Sequence, residues 1–266
     1  MIEVQTFDTA ELAASALNPE SRYIGGGTIV MRALNYGEQD FTKIIRSTDP
    51  ALREVNGSGD RIEIGAGVTM AEILSNRELE FLHPVARAIG GPAVRNMATV
   101  GGNLFARHPY GDFTAAMLAL EGKVQVAGGG DQDLEDFLSS REGFSGLVKS
   151  ISIARPAIQD FRFKKVSRVK PKGVSVLSIA AWLPQSGGSI AAPRIAFGAM
   201  GATPLRAKQA EAAIAGRALD ASTVEAACAV IIQDLQPQDD ALASAWYRSQ
   251  VAGVHLRRLL TGNGSR

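Results

Sequence analysis

The first half of the chain alternates short apolar runs with glycine turns and helical patterns. A strand that enters a glycine turn is predicted for RYIGGG, and the helix that leaves the turn is predicted for TIVMRALNYG. The same arrangement recurs in RIEIGAGVTMAEIL, whose helix begins at Thr69 with Glu72 three residues later, the spacing of a capping box. This half is therefore predicted to mix strands and helices.

The character of the chain changes near Pro156. Three strand-like runs follow, FRFKKVSR, VSVLSIAAWL and PRIAFGAM, and the tail from Pro204 onward has an almost entirely helical pattern. Strands followed by helices predict an α+β domain in which helices cover one face of a three-stranded antiparallel sheet. We therefore expect an α+β protein with one domain over residues 1–156 and a smaller one over residues 157–266.

Composition narrows the classes of function. The formal net charge is +1, so charge alone gives no reason to expect nucleic acid or an anionic membrane surface as a partner. No apolar run is long enough to span a membrane, and the first residues lack the basic and apolar regions of a signal peptide, so a cytoplasmic location is expected. The single cysteine, Cys228, excludes an internal disulfide and a cysteine-rich metal site.

Several familiar kinds of catalytic site have no candidate residues. His83, His108 and His255 are far apart in the sequence, and each is interpreted as a surface or capping residue. Neither a nucleophile elbow nor a Walker phosphate loop occurs, and GAGVTM has Met70 where a dinucleotide-binding turn needs its third glycine. We predict no catalytic side chain and no metal ligand.

Two glycine clusters are the strongest candidates for a binding site. Gly25–Thr28 comes between a predicted strand and helix, and Thr99–Asn103 also separates two apolar segments. Backbone N–H groups at a helix N-terminus attract anions, and glycine lets a ligand approach the main chain. The two clusters could hold one phosphate-bearing ligand of the nucleotide type, or they could be two structural turns.

Asp112 follows the second cluster and opens an apolar helix. It could cap the N-terminus of the helix that begins at Phe113, or it could accept a hydrogen bond from a ligand hydroxyl. The two roles are compatible because a carboxylate has two oxygens.

Taken in order, these motifs resemble one family over essentially the whole chain. YIGGGTIV and ATVGGNL are similar to the family's two flavin loops. The last residue of RHPYGD is similar to an aspartate that the family has at this distance after its second loop. The second half, from FRFKKVSR to SAWYRSQVAGVHLRRLL, is similar to the family's C-terminal domain. The chain thus resembles the FAD-binding medium subunit of the molybdenum hydroxylases, which include xanthine dehydrogenase, aldehyde oxidoreductases, carbon monoxide dehydrogenase and bacterial N-heteroaromatic hydroxylases.

The resemblance implies a fold and a set of FAD-binding residues. The first domain would be a two-part FAD-binding domain of the vanillyl-alcohol-oxidase or PCMH type. The FAD diphosphate would lie between two loops, Asp112 would bind the hydroxyl region, Ile89 would lie near the flavin ring, Val148 would contact it through backbone, and Lys164 would reach it from the second domain. The residues of the two loops would be Ile24, Gly25, Gly26, Gly27, Thr28, Ile29 and Val30 in the first, and Thr99, Gly101, Gly102 and Asn103 in the second.

The resemblance also implies partner subunits. In the family, a large subunit with a molybdenum cofactor hydroxylates a small molecule such as an N-heteroaromatic ring, an aldehyde or carbon monoxide. A small subunit with two [2Fe–2S] clusters carries electrons to FAD, which passes them to an external acceptor. An (αβγ)2 assembly is expected. The basic run Val169–Gly173 replaces an acidic segment of NAD-reducing relatives, so NAD is a doubtful acceptor.

Two other functions remain open from the sequence. One is a stand-alone FAD-dependent reductase with a related FAD domain, although residues 156–266 show no clear pair of proton donor and acidic partner. The other is a non-catalytic assembly protein whose glycine loops are structural. The flavin reading predicts that Gly101→Val releases FAD while leaving the fold largely intact, and that Asp112→Ala weakens FAD retention and destabilises its helix.

Overall fold

The computed structural model describes residues 2–37, 40–169 and 173–262. Strands and helices alternate along the first half, and most of the helical residues of the second half follow its strands. The strands are β1 (Glu3–Phe7), β2 (Ser21–Tyr23), β3 (Lys43–Ser47), β4 (Val55–Ser58), β5 (Arg61–Gly65), β6 (Lys123–Val126), β7 (Asp131–Asp133), β8 (Val148–Ala154), β9 (Phe161–Ser167), β10 (Ser175–Trp182), β11 (Gln185–Ser186), β12 (Ser189–Ile190), β13 (Arg194–Gly198) and β14 (Leu205–Arg206).

The helices are mostly short, and among those in the described ranges only the last exceeds four turns. They are α1 (Ala10–Ser15), α2 (Val30–Asn35), α3 (Met70–Ser75), α4 (His83–Ala88), α5 (Pro92–Arg95), α6 (Val100–Leu104), α7 (Asp112–Ala119), α8 (Leu134–Ser140), α9 (Lys208–Ile214), α10 (Ala221–Val230) and α11 (Ala245–Leu260).

The chain forms two compact units and passes between them more than once. Unit 1 comprises Met1–Glu78, Gly90–Ala106 and Glu121–Ala154. Unit 2 comprises Leu79–Ile89, Arg107–Leu120 and Arg155–Arg266. Two short segments of the first half, which carry α4 and α7, thus belong to unit 2. The division into domains at residue 156 remains a prediction.

The described residues of unit 1 form two sheets. The first has the order β1-β3-β2 with parallel pairing, and the second has the order β4-β5-β8-β6-β7 with antiparallel pairing. In β5, Ile62 and Ile64 are fully buried while Glu63 between them is exposed. This alternation places one face of the sheet in the core, because successive side chains of a strand point to opposite faces.

The capping box predicted at the start of α3 is confirmed. The Thr69 hydroxyl oxygen accepts a hydrogen bond from the Glu72 backbone N–H at 3.2 Å, and the Glu72 carboxylate accepts one from the Thr69 N–H at 2.8 Å. Partial burial opposes ionisation of Glu72, but the bonds from Thr69 and Arg53 outweigh it and hold the Glu72 carboxyl pKa below its usual range.

Replacing the cap should therefore lower stability measurably. Thr69→Ala leaves a helix N–H without its acceptor, and we expect a loss of about 1 kcal/mol in the free energy of unfolding. Urea unfolding monitored by circular dichroism measures this change. Thr48→Ala is the control, because the exposed Thr48 hydroxyl donates only a long bond of 3.4 Å to the Phe7 carbonyl. Equal midpoints for the two variants would contradict the assigned role.

Unit 2 is built on an antiparallel sheet with the order β14-β13-β10-β9. The α+β class is confirmed, but the prediction of three strands is wrong because a fourth is present. In β14, Leu205 pairs with Phe197 and Arg206 pairs with Ala196. This two-residue strand is too short to show an alternating pattern, and the sequence around it resembles the start of the following helix.

Helices pack on both sides of this sheet. Leu177 and Ile179 of β10 lie in a core cluster with residues of α9, α10 and α11. All eight residues of α7 are buried, and α7 contacts β10 and β13. Burial on every side places α7 in the core of unit 2, a location that was not predicted from the sequence.

Candidate cofactor site

The first glycine loop lies at the carboxyl end of β2 in unit 1. The Ile24 N–H donates to the Ile45 carbonyl at 2.9 Å and so extends the parallel pairing of β2 with β3. Gly27 has φ of +71°, which L side chains rarely adopt. The chain therefore turns sharply between the strand and α2.

This loop packs directly on the second predicted loop. A Cβ atom added to Gly26 would lie 1.5 Å from the Met97 carbonyl oxygen, and one added to Gly25 would lie 2.8 Å from the Thr99 hydroxyl oxygen. Gly26 is required because the two main chains meet there, and Gly25 leaves room for the Thr99 side chain. The structure thus brings together the two loops that are about seventy residues apart in the sequence.

The first loop also presents a row of backbone donors. Within the part of the chain that the structure describes, the backbone N–H groups of residues 25–30 donate to no acceptor. The next N–H group, that of Met31, donates to the Gly27 carbonyl. Among the residues that the structure describes, no side chain caps α2. Consecutive unpaired N–H groups before a helix form a concave site for phosphate oxygens. The first loop therefore offers several backbone donors to an anionic ligand.

The backbone N–H groups of residues 100–103 in the second loop already have acceptors within the chain. The Val100 and Gly101 N–H groups each donate at 2.8 Å, to the carbonyls of Val68 and Ala66 respectively. The Gly102 N–H donates to the Thr99 hydroxyl at 3.1 Å, and the Asn103 side-chain amide donates to the Thr99 carbonyl at 2.9 Å. The second loop thus serves as a wall against which the first loop is held.

Gly101 and Gly102 face different surroundings. A Cβ on Gly101 would lie 2.9 Å from the Ala66 Cβ and 3.1 Å from the Ala66 carbonyl oxygen, whereas one on Gly102 would meet only the Thr99 hydroxyl, at 3.1 Å. The expectation that Gly101→Val leaves the fold largely intact is therefore at odds with this packing. Gly102 is exposed, so a side chain substituted there would extend into the space outside the chain.

This difference gives a paired prediction. We expect Gly101→Ala to lower the free energy of unfolding by about 1–3 kcal/mol through overpacking against Ala66. We expect Gly102→Ala to cost no more than about 1 kcal/mol, since its added methyl meets one side-chain oxygen. Chemical unfolding of both purified variants measures the difference, and a larger loss for Gly102→Ala would contradict the packing described for Gly101.

Apolar side chains surround the row of donors. Ile29, Met31 and Met97 are 47%, 46% and 53% exposed, and α2 has no buried residue. Exposed apolar side chains next to N–H groups that can bind an anion are typical of a site for a ligand with a charged part and a ring. Val148, the remaining candidate residue of unit 1, is 4% exposed at the start of β8.

In unit 2, Asp112 lies in a buried ion pair. Its Oδ1 accepts from the Ser175 hydroxyl at 2.6 Å, and its Oδ2 lies 2.9 Å from the Lys165 Nζ. The prediction that Asp112 caps the helix from Phe113 is wrong: Gly111 is the N-cap and Asp112 is the first helical residue. Asp112 stabilises the helix electrostatically, because a carboxylate in the first turn complements the helix dipole.

The adjacent lysines of β9 point to opposite faces of the sheet. Lys165 donates to the carbonyl of Ala88, the residue before Ile89, at 2.9 Å. Lys164 pairs across the sheet with Ile179, and its charge acts on His255 of α11. Burial, together with the charges of Arg258 and Lys164, lowers the pKa of His255. The lysine that the structure brings to Asp112 is thus Lys165, which the sequence had not singled out.

Arg141 is a structural residue that the sequence reading missed. It is buried, and its guanidinium donates to the carbonyls of Leu104 and Ala106 at 2.7 and 3.2 Å. These are carbonyls at the C-terminal end of α6, where helices leave acceptors without intrahelical partners. Arg141 thereby fastens the helix that carries the second loop.

A second missed group joins His108, Asp240 and Arg248. Asp240 Oδ2 lies 3.0 Å from His108 Nε2 and 2.7 Å from a nitrogen of the fully buried Arg248. Reading His108 as a surface or capping residue was therefore wrong. Burial opposes ionisation of Asp240, but hydrogen bonds from Arg248, from two backbone N–H groups and from His108 outweigh it and hold the Asp240 pKa far below its usual range.

The described ranges contain neither a metal-binding cluster nor a membrane-spanning helix. Across residues 2–37, 40–169 and 173–262, no group of three or more His, Cys, Asp or Glu side chains could hold a metal ion. No helix in those same ranges combines the length and the apolar character that a membrane crossing requires. Of the basic run Val169–Gly173, Lys170, Pro171 and Lys172 lie outside the described residues.

Two family models match the chain. The model described as "FAD binding domain in molybdopterin dehydrogenase" matches residues 2–153. The model described as "CO dehydrogenase flavoprotein C-terminal domain" matches residues 161–262.

Individual proteins are similar along nearly the whole length. The chain is 25% identical to the xanthine dehydrogenase FAD-binding subunit of Escherichia coli O157:H7, over 98% of this chain and 94% of that protein. It is 24% identical to the carbon monoxide dehydrogenase medium chain of Hydrogenophaga pseudoflava, over 94% and 91% of the two chains. The solved carbon monoxide dehydrogenase of Hydrogenophaga pseudoflava, at 23% identity, superposes with a TM-score of 0.88 and covers 98% of this chain and 96% of its own. This last similarity shows a shared fold.

Proposed function

We propose that this chain, which belongs to the family of FAD binding domains in molybdopterin dehydrogenases, holds FAD chiefly through the backbone of residues 25–30. As a member of that family it is an oxidoreductase flavoprotein subunit of a molybdenum hydroxylase. The observation that carries the proposal is the row of backbone N–H groups that have no acceptor among the described residues.

The remaining assignments follow from the family's motifs. We assign Thr99, Gly102 and Asn103 to the diphosphate, Asp112 to the hydroxyl region, and Ile89, Val148 and Lys164 to the flavin. The open space beside Gly102 supports its assignment to the diphosphate. The ion pair of Asp112 with Lys165 supports the assignment of Asp112, because it holds the carboxylate in place. Gly101 supports the site indirectly, because it allows the second loop to approach Ala66.

Bound FAD would supply the electron-transfer chemistry, accepting electrons from iron–sulfur clusters and passing them to an external acceptor. The chain's own residues bind and orient it. The first loop offers fixed donors to phosphate oxygens, and the apolar side chains of Ile29, Met31 and Met97 exclude water from a ligand beside them. A protein that only positions a redox cofactor needs no nucleophile or metal of its own.

The assembly and its substrate belong to other chains. We propose that a large molybdenum-cofactor subunit and a small [2Fe–2S] subunit complete the complex, doubled as (αβγ)2, in the cytoplasm. The similarity to a carbon monoxide dehydrogenase medium chain and to a xanthine dehydrogenase FAD-binding subunit supports a role as one chain among several. The large subunit would select the substrate.

The stand-alone reductase is the second candidate, and the two differ in what the isolated chain can do. An electron-transfer subunit binds FAD but turns over no organic substrate by itself. A reductase oxidises NADPH in the presence of a small enoyl compound.

Native purification tests the proposal. The chain is tagged, isolated under non-denaturing conditions, and its visible spectrum and molybdenum content are recorded. We expect flavin and iron–sulfur absorbance together with molybdenum in one complex. A chain that purifies alone with flavin and reduces enoyl substrates would favour the reductase, and a chain without flavin would contradict both.

A further inference from the structure

We infer that Lys165 is a positioning residue for the cofactor, a role that rests on the proposed binding of FAD. Its ammonium group lies 2.9 Å from Asp112 Oδ2 and donates to the Ala88 carbonyl at 2.9 Å. One cation therefore joins the carboxylate assigned to the FAD hydroxyl region to the main chain just before Ile89, the residue assigned to the flavin ring.

The Asp112 carboxylate can accept further hydrogen bonds, because each of its oxygens has one partner among the described residues. Oδ1 accepts from the Ser175 hydroxyl and Oδ2 from Lys165, so each oxygen keeps a lone pair for one more hydrogen bond. The Asp112 side chain is 10% exposed and that of Lys165 is 13% exposed. With two partners already in place, the carboxylate has one orientation in which to meet a ligand hydroxyl.

Charge explains why a lysine suits this position. A bare carboxylate would repel the diphosphate of the same cofactor, and a buried carboxylate without a partner is costly. Lys165 neutralises Asp112 while leaving it able to accept hydrogen bonds. Its ammonium has three N–H donors, and two of them have acceptors among the residues that the structure describes.

The same contact fixes the end of α4. Ala88 is the last residue of that helix, and its carbonyl is among those that have no intrahelical partner. An ammonium at a helix C-terminus is favourable, because it meets the negative end of the dipole. Loss of Lys165 would free both the carboxylate and the main chain before Ile89.

The test compares Lys165→Met with Lys165→Arg in the full-length chain, by FAD titration and by visible circular dichroism of the bound flavin. We expect Lys165→Met to raise the FAD dissociation constant by roughly tenfold to hundredfold and to alter the flavin spectrum, the effect of losing hydrogen bonds from a charged donor. Lys165→Arg keeps a cation that can reach Asp112, and should restore most of the affinity and the spectrum. Arg257→Met, which removes an exposed pair with Glu225, is the control and should match wild type.

Each result decides between the alternatives. Wild-type affinity and spectrum in Lys165→Met would overturn the inference, and so would a loss that Lys165→Arg shares in full. If Lys165→Met is recovered unfolded, Lys165→Gln takes its place in the same comparison. A wild-type chain that binds no FAD would contradict the proposed function itself, whereas normal binding by wild type and Lys165→Met alike would contradict only the role of Lys165.

Discussion

Gly26→Ala is expected to disrupt both the fold around the first glycine loop and the retention of FAD. The added methyl carbon would lie 1.5 Å from the Met97 carbonyl oxygen, well inside any van der Waals contact. Met97 O belongs to backbone, which cannot move aside as the end of a side chain can. The first loop must therefore shift away from the wall formed by the second.

We expect this shift to lower the free energy of unfolding by about 3 kcal/mol or more, at the upper end of overpacking effects. The N–H row of residues 25–30 would move with the loop, so FAD should be lost from the purified variant. Chemical unfolding gives the stability, and the absorbance ratio of flavin to protein gives the cofactor content.

Gly130→Ala is the matched control for this experiment. Gly130 is exposed, and an added Cβ would meet nothing within 4 Å. We expect its stability and flavin content to equal those of wild type. If Gly26→Ala also equals wild type in both measurements, the contact between the two loops is absent in solution.

Arg248→Met is expected to give the largest loss of stability in unit 2. The Arg248 side chain is fully buried and donates to the carbonyls of Val176, Gln238 and Ala243 as well as to Asp240. Methionine fills similar volume without donors. The substitution therefore leaves three carbonyls and a largely buried carboxylate without this partner.

Breaking a buried ion pair by removing one partner costs about 3–5 kcal/mol. We expect a loss of that size in urea unfolding, and little change in Arg257→Met, whose pair with Glu225 is exposed. A loss in Arg248→Met no larger than that of the control would contradict the structural role of the buried cluster.

Asp240 adds a dependence on pH to this prediction. Its pKa is lowered in the folded chain, so the stability that it contributes is complete above the unfolded carboxyl pKa, near 4, and falls as the pH drops below that value. Arg248→Met removes the strongest bond that favours the ionised form. We therefore expect wild type to lose stability between about pH 4 and pH 2 more steeply than Arg248→Met.

The sequence predicted those features that depend only on residues close together in the chain. The strand that enters the first glycine loop, the turn at Gly27 and the capping box of Thr69 and Glu72 all rest on neighbouring residues. Each has a signature within a few positions, so one sequence suffices. The family resemblance added the order of the loops and the C-terminal domain.

Features that depend on distant residues were missed. The pairing of His108 with Asp240 spans 132 positions, and neither residue carries a local signal of it. Lys164 and Lys165 are neighbours in a strand and so point to opposite faces, but only the packing of the sheet shows that Lys165 lies on the face that meets Asp112. Likewise, Gly101 and Gly102 look alike until Ala66 is placed beside one of them.

A titration of the purified apo chain with FAD, followed by competition with ADP, tests most directly whether the first glycine loop holds the diphosphate of FAD. We expect equimolar FAD binding, weaker binding of ADP at the same site because ADP carries the diphosphate but no flavin, and loss of both in Gly26→Ala. A well-folded wild-type chain that binds neither FAD nor ADP would contradict the proposed FAD site and leave the two glycine loops as structural turns.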